Sequence, residues 1–333
     1  MRSSRARYAL ASICSVLLTC AWSSSAQAQQ QAPGFDLERL YTSAPGGGWF
    51  VMDMLDMNGK LGGAVNLVTS YAHNPLRVTD GSHHLAVVSD QAFLQLGFAA
   101  TYDRYRIYMS FDSPLAVRGN SGTVGGYTFT APRADPEATP DAISHGRAGV
   151  DARLVGGPAS PFRLGVGLQL WFPGGAPGSL RENYLSDGPP GAGFGAYNVM
   201  GRVLSAGDVG WFTYAGHLGF QLRTLDDFPT PGSPQGSELL FGAAAGVKLS
   251  VCAACNWRLV VGPEIFGATA FRSFFGTNRT ALEGLISGRL EGTSDHGAQL
   301  RFKLGVGGGI NAHFGAPEAR MVLGVELFDH NSN

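Results

Sequence analysis

The chain has 333 residues, enough for one large domain or two ordinary ones. Its 24 basic and 25 acidic side chains nearly cancel, which argues against nucleic acid as a partner and against an acidic tail. Charged residues make up 15%, against roughly 25% in soluble domains, and the 48 glycines are about double the usual share. That composition does not suit a helical enzyme. It suits a sheet protein whose surface does not all face water.

In chain order, Arg2, Arg5 and Arg7 precede the apolar run ALASICSVLLTCAW, and Ala26-Gln27-Ala28 follows. A charged start, an apolar centre and a small-residue end make a secretory signal over residues 1–28, cut before Gln29. Cys14 and Cys20 fall inside it. The threonine before Cys20 is atypical of a lipoprotein. Cys252 and Cys255 are then the only cysteines of an exported chain in an oxidising compartment. Beyond the signal there is no apolar run of helix-spanning length. Barrel strands, by contrast, need only about ten alternating residues each.

Residues 29–60 are a lead-in or an extra hairpin. The stretch FDLERLYTSAPGGGWFVMDMLDM (Phe35–Met57) does not alternate cleanly, and its pattern also allows a piece folded into a lumen. From residue 61 onward alternation dominates. In FTYAGHLGFQLR, Phe212, Tyr214, Leu218, Phe220 and Leu222 share one face; Thr213, His217, Gln221 and Arg223 share the other. FRLGVGLQLWF (Phe162–Phe172) and LRFKLGVGGGIN (Leu300–Asn311) split in the same way. Period two over ten or more residues predicts long half-apolar strands. The polar faces carry glycine and arginine, which favours a wet lumen over a soluble sandwich.

Strands are expected near 61–72, 85–100, 103–112, 145–156, 161–172, 194–205, 209–224, 237–250, 256–270, 280–292, 298–311 and 317–328. The fold class is therefore all-β: a transmembrane antiparallel up-and-down barrel of about 12 strands (12–14) over residues 61–328, with a short tail at 329–333. Short connections at 101–104, 156–161, 205–208 and 252–255 alternate with long ones at 113–144, 173–193 and 225–236. This predicts periplasmic turns, outer loops and both termini periplasmic. Trp171, Trp211 and Trp257 are expected in the aromatic belts.

Several stretches resemble the barrel region of large OmpA-family outer-membrane proteins. They are Phe35–Leu76, LVVGPEIFGAT (Leu259–Thr269), TALEGLISGRL (Thr280–Leu290) and GVGGGINAHFGAPEARMVLGV (Gly305–Val325). The motifs are loose and glycine-based. The resemblance implies a barrel in the outer membrane of a Gram-negative bacterium, and it transfers no site residues. Those relatives continue into a peptidoglycan-binding domain, whereas this sequence stops at Asn333. Outer-membrane lipids and the barrel-assembly machinery are the expected partners, with small solutes if the lumen conducts.

The alternation places Arg104, Arg106, Arg147, Arg153, Arg163, Arg202, Arg223, Arg258, Arg289, Arg301 and Lys303 toward the lumen. Asp112, Asp151, Glu264, Glu283 and Glu291 fall on the same face. These charges either brace the barrel by pairing across the wall or bias a narrow channel toward anions. The many inward glycines would leave room for water.

No cofactor is expected. His73, His83 and His84 lie around one outer loop without the spacing of a metal site, and no nucleophile-elbow, zinc or phosphate-loop motif occurs. Two functions follow: a non-enzymatic barrel, either narrow channel or structural and surface protein, and a barrel enzyme acting on lipid or surface polypeptide. The enzyme would need a Ser/His/acid or paired-acid cluster converging near one rim, and the candidates Ser110, Ser287 and His217 show no such convergence in the sequence. Cys252 and Cys255 have dithiol spacing but lie at an expected short turn beside Trp257, where a local disulfide is the simplest state. So small a loop gains little stability by closure.

Overall fold

A computed structural model describes residues 30–57, 61–81, 83–132, 143–158, 160–175, 177–187, 197–223, 236–251, 256–276, 280–293, 298–311 and 314–329. The expected secretory signal and Cys252 and Cys255 lie outside them.

Among the described residues, fifteen strands occur in chain order: β1 (Gln30–Gln31), β2 (Leu61–Asp80), β3 (His83–Tyr102), β4 (Tyr105–Arg118), β5 (Gly122–Val124), β6 (Tyr127–Phe129), β7 (His145–Val155) and β8 (Arg163–Pro173). After a short helix, α1 (Pro177–Glu182), come β9 (Asn198–Val209), β10 (Phe212–Leu222), β11 (Glu238–Ser250), β12 (Trp257–Ala270), β13 (Thr280–Thr293), β14 (Ala298–Asn311) and β15 (Ala319–Asp329). Twelve of them close a barrel, and every neighbouring pair is antiparallel. The seam runs between first and last: β15 pairs β2 from Ala319↔His73 to Asp329↔Gly63. Closure removes the unpaired edges an open sheet would present.

Alternation decides which side chains face in. On β14 and β15, Phe302, Leu304, Val306, Met321, Leu323, Val325 and Leu327 are exposed on the outside. Arg301, Lys303, Arg320 and Glu326, which alternate with them, are buried inside. This is the reverse of a water-soluble barrel. Trp171 departs from the belt expectation for the same reason: it shares the parity of Arg163 and Gln169, points inward, and is buried against Tyr41. Trp211 is exposed at a turn, and Trp257 stacks on Phe302 at the same rim.

The two rims differ. At one, the turns are short: Asp103–Arg104, 156–162 and Gly210–Trp211. The expected turn at 205–208 is instead strand, because Gly210, at φ +59°, supplies the left-handed residue of a two-residue turn under the Val209↔Phe212 pair. At the other rim, β2 and β3 run on beyond their barrel partners. β15 pairs β2 no further than His73, and β4 pairs β3 only from Asp90. The loop expected around His73, His83 and His84 is therefore a projecting hairpin, in which Thr79 faces His84 and Asp80 faces His83.

Above the long-loop rim, β5 and β6 form a small hairpin, and β1 joins β6 in parallel. An apolar cap, including Phe35, Leu37, Val87, Val88, Leu180 and Tyr184, binds these pieces together. This corrects one expectation. Asp329 ends at the short-turn rim, but the first described residues, Gln30 and Gln31, lie at the opposite one. Strand parity still holds because β2 starts at the short-turn rim.

Candidate functional site: the filled lumen

Residues 32–57 run through the barrel from the long-loop rim to the short-turn rim. Their backbone is mostly irregular, which is tolerated at membrane depth only where protein or cavity water surrounds it. At the centre, PGGGW (Pro45–Trp49) makes a compact reversal closed by a Gly48↔Asp53 bridge. Gly46 and Gly48 sit at φ +83° and +95°. A Cβ on Gly47 would come within 2.6 Å of Asp53 Oδ1. The glycine run is what lets the chain turn back in so narrow a space.

The reversal presents Trp49, Phe50, Val51, Met52 and Met54 to small or aliphatic wall residues, among them Ala206, Ala215, Ala244 and Val260. Inward glycines leave room for these side chains. A Cβ on Gly246 would meet the Trp49 ring at 2.6 Å, one on Gly305 the Phe50 ring at 3.0 Å, and one on Gly165 Leu55 at 3.0 Å. The space expected to hold water is thus filled by the chain's own apolar side chains. Beside Leu40, Tyr41 and Thr42 a cavity of about 50 Å³ remains against Phe93, Gln95 and Arg147, room for very few waters.

Polar anchors occur all the way down. Arg39 reaches Glu238 at 3.1 Å, and Arg147 donates to the Thr42 carbonyl. The Gly46 N–H donates to Glu326. Both carboxylate oxygens of Glu264 accept backbone N–H groups, from Phe50 (3.0 Å) and Val51 (2.9 Å). Asp53 forms ion pairs with Arg106 at 2.7 Å and Arg202 at 2.8 Å, and the same two arginines hold Asp151 at 2.6 and 3.0 Å. Near the short-turn rim, Arg153 donates to the carbonyls of Leu55 (3.0 Å) and Met57. The Arg289 guanidinium lies 4.6 Å from the Trp49 ring centre, and Lys303 Nζ 5.3 Å from that of Phe50.

Other charges brace the wall itself. Glu291 meets Arg289 at 2.6 Å, Arg301 at 3.4 Å and Arg258 at 3.5 Å; Glu283 meets Arg320 at 2.7 Å. Arg163 and Lys248 share Asp208 at the short-turn rim. Asp112 accepts from Gln95 at 2.6 Å.

Two arginines sit apart from the lumen wall. Arg104 is exposed in its turn beside Asp103, because the turn there ends the alternation. Arg223 lies just past β10 in the cap and pairs with Asp187 and Glu238. Arg258 is on the inward face, but its side chain is 54% exposed at the rim. Asp53, Glu238, Arg320 and Glu326 are not among the residues the sequence pattern singles out above. Arg320 and Glu326 alternate with Met321, Leu323, Val325 and Leu327, so parity carries a signal for both. Asp53 has none, since its segment lacks a period.

The serine and histidine candidates for a barrel enzyme fall on different strands, Ser110 on β4, His217 on β10 and Ser287 on β13. Ser110 accepts from Arg147 (3.0 Å), Ser287 donates to the Gly262 carbonyl, and buried His217 Nδ1 has no hydrogen-bond partner among the described residues. His73 lies 3.4 Å from Asp90.

In the cap, burial pushes the Asp36 carboxyl up to about 6, although His145, Arg39 and Arg223 oppose it. The neighbouring Asp187 is also penalised by burial, but Arg223 holds it below the usual carboxylate range. Folded protein therefore keeps the Asp36 proton at pH values where an unfolded chain, titrating near 3.8, has lost it. The cap gains from this below pH 3.8, and the gain disappears as pH rises to about 6. Wild type should resist thermal unfolding better at pH 5 than at pH 7. Asp36→Asn should reduce that difference, as followed by gel mobility in detergent.

No family model and no curated protein matches the chain. Solved structures do. An outer membrane channel from Pseudomonas putida F1 aligns over 82% of this chain and 95% of its own, with TM-score 0.47 and 12% identity. The NanC porin aligns over 79% and 98%, with TM-score 0.44 and 7% identity. LpxR from Salmonella typhimurium aligns over 79% and 99%, with TM-score 0.36 and 11% identity.

Proposed function

We propose that this chain is an outer-membrane β-barrel of a Gram-negative bacterium that stands closed, serving as a structural and surface-exposed protein rather than an open diffusion channel. The outward band of leucine, valine, phenylalanine and methionine, set against a charged interior, supports a lipid surround. The observation that carries the closed state is the lumen segment. Its bulk fills the space left by inward glycines, and its polar groups are matched to the wall by Arg147, Arg153, Glu264 and Glu326. A non-catalytic role fits the separate engagements of Ser110 and Ser287. Lipids surround the barrel, and insertion falls to the barrel-assembly machinery.

Planar bilayers containing folded, intact protein test this reading. The expected record is flat, without conductance steps, at voltages the membrane itself withstands. Sustained, uniform steps from intact protein would overturn the closed state.

A further inference from the structure

We propose that the segment around Gln30 and Gln31 is displayed on the cell surface, the chain between it and β2 crossing the membrane inside its own barrel. This rests on the reading above, in which the long-loop rim faces outward.

The direction of passage follows from the anchors taken in order. Gln30 and Gln31 pair with Tyr127 and Thr128 of β6, within the connection between β4 and β7. The Ala32 N–H donates to the Thr128 carbonyl at 2.9 Å, and Gln31 Nε2 to Thr130 Oγ1 at 3.0 Å. The Asp36 N–H then meets Asp187, in the connection between β8 and β9, at 2.9 Å. Arg39 meets Glu238, the first residue of β11 at the long-loop rim. Phe50 and Val51 meet Glu264 midway along β12. Leu55 and Met57 meet Arg153 close to the end of β7 at the short-turn rim. Between Arg39 and Phe50 the Gly46 N–H reaches Glu326, near the short-turn end of β15, so the chain dips and turns back at the reversal before its final descent. From Arg39 to Met57 the segment still makes one net passage. Phe35, Leu37 and the ion pairs around Arg223 fasten its upper end into the cap. Withdrawing it toward the short-turn side would drag buried Asp36 and Arg39 through a lumen already lined with committed charges, and would strand Asp187 and Glu238.

The surface therefore carries the Gln30–Gln31 segment in addition to the loops that an up-and-down barrel provides. Sequence placed ahead of Gln30 would be presented outside the cell, next to the β5–β6 hairpin, for whatever the cell meets there.

Single cysteines test this in a Cys252→Ser/Cys255→Ser background, with a membrane-impermeant maleimide applied to intact and to lysed cells. Gln30→Cys reports the Gln30–Gln31 segment, Asp80→Cys the long-loop rim and Arg104→Cys the short-turn rim; all three positions are exposed. The expected result is equal labelling of Gln30→Cys and Asp80→Cys before and after lysis, with Arg104→Cys labelled only after it. Protection of Gln30→Cys while Asp80→Cys is labelled would overturn the proposal and leave the outward rim intact. Labelling of Arg104→Cys with protection of Asp80→Cys would overturn the orientation itself, and surface display with it. An epitope inserted between Gln29 and Gln30 in an otherwise native chain gives a second readout that needs no cysteine: antibody binding to intact cells supports display, and binding only after lysis opposes it.

Discussion

Excision of residues 35–57 is expected to turn a silent barrel into a conducting one. The wall does not depend on the segment for most of its pairing. Glu291 keeps Arg289 and Arg301, Glu326 keeps Arg301, Glu283 keeps Arg320, and Asp151 keeps Arg106 and Arg202. The side chains that lose partners, chiefly Arg147, Arg153 and Glu264, would then face water rather than apolar protein, where an unpaired charge costs little. The twelve-strand hydrogen-bonded wall stays closed between β15 and β2. Single-channel recordings should therefore show steps from the excised protein and none from wild type. An excised protein that folds, runs as a compact band and still conducts nothing would mean that the loops alone seal the barrel.

Asp53→Ala should give the largest effect of any single substitution on stability. The Asp53 carboxylate is fully buried, and its two oxygens serve Arg106 and Arg202 at 2.7 and 2.8 Å. With Asp151 these form a neutral set of two acids and two bases inside the protein. Removing Asp53 leaves one buried positive charge in excess. Losing one partner of a buried ion pair costs about 3–5 kcal/mol, and the surviving Asp151 should keep the loss toward the lower figure. The denaturant midpoint of the folded fraction in detergent, followed by gel mobility, should fall accordingly. Adding Arg202→Leu should return part of the loss by restoring charge balance. A double variant as unstable as Asp53→Ala alone would show that packing of the reversal, rather than charge, sets the cost. Because the Asp53 carboxylate also accepts from the Ala44 N–H at 3.3 Å and ties the reversal to Arg106 and Arg202 on the wall, the single variant should open intermittently in bilayers.

Alternation makes the wall legible in the sequence alone. The expected strand at 298–311 coincides with β14, that at 237–250 nearly with β11, and Arg301, Lys303, Glu264 and Glu283 all lie on the inward face. Period two records which side of a strand meets lipid and which meets the interior, and twelve such records with their turns define the barrel. Turn positions are less legible. Ser205–Asp208 carries turn-forming residues yet pairs as strand, because the Gly210–Trp211 turn sets the register beyond it. At Trp171 residue type points to the belt and parity points inward, and parity wins.

What the residues determine by themselves is therefore the closed antiparallel wall, its apolar exterior and its charged interior. Each is a local consequence of side chains alternating across a pleated strand. What fills the interior is decided only in three dimensions. Phe35–Met57 has no period, so nothing local says where it goes. Its position follows from matches across distant parts of the chain: Trp49 against Gly246, Asp53 between Arg106 and Arg202, and the Phe50 and Val51 amides on Glu264. These contacts exist only once the barrel has brought its strands around the segment, and they turn an apparent pore into a closed one.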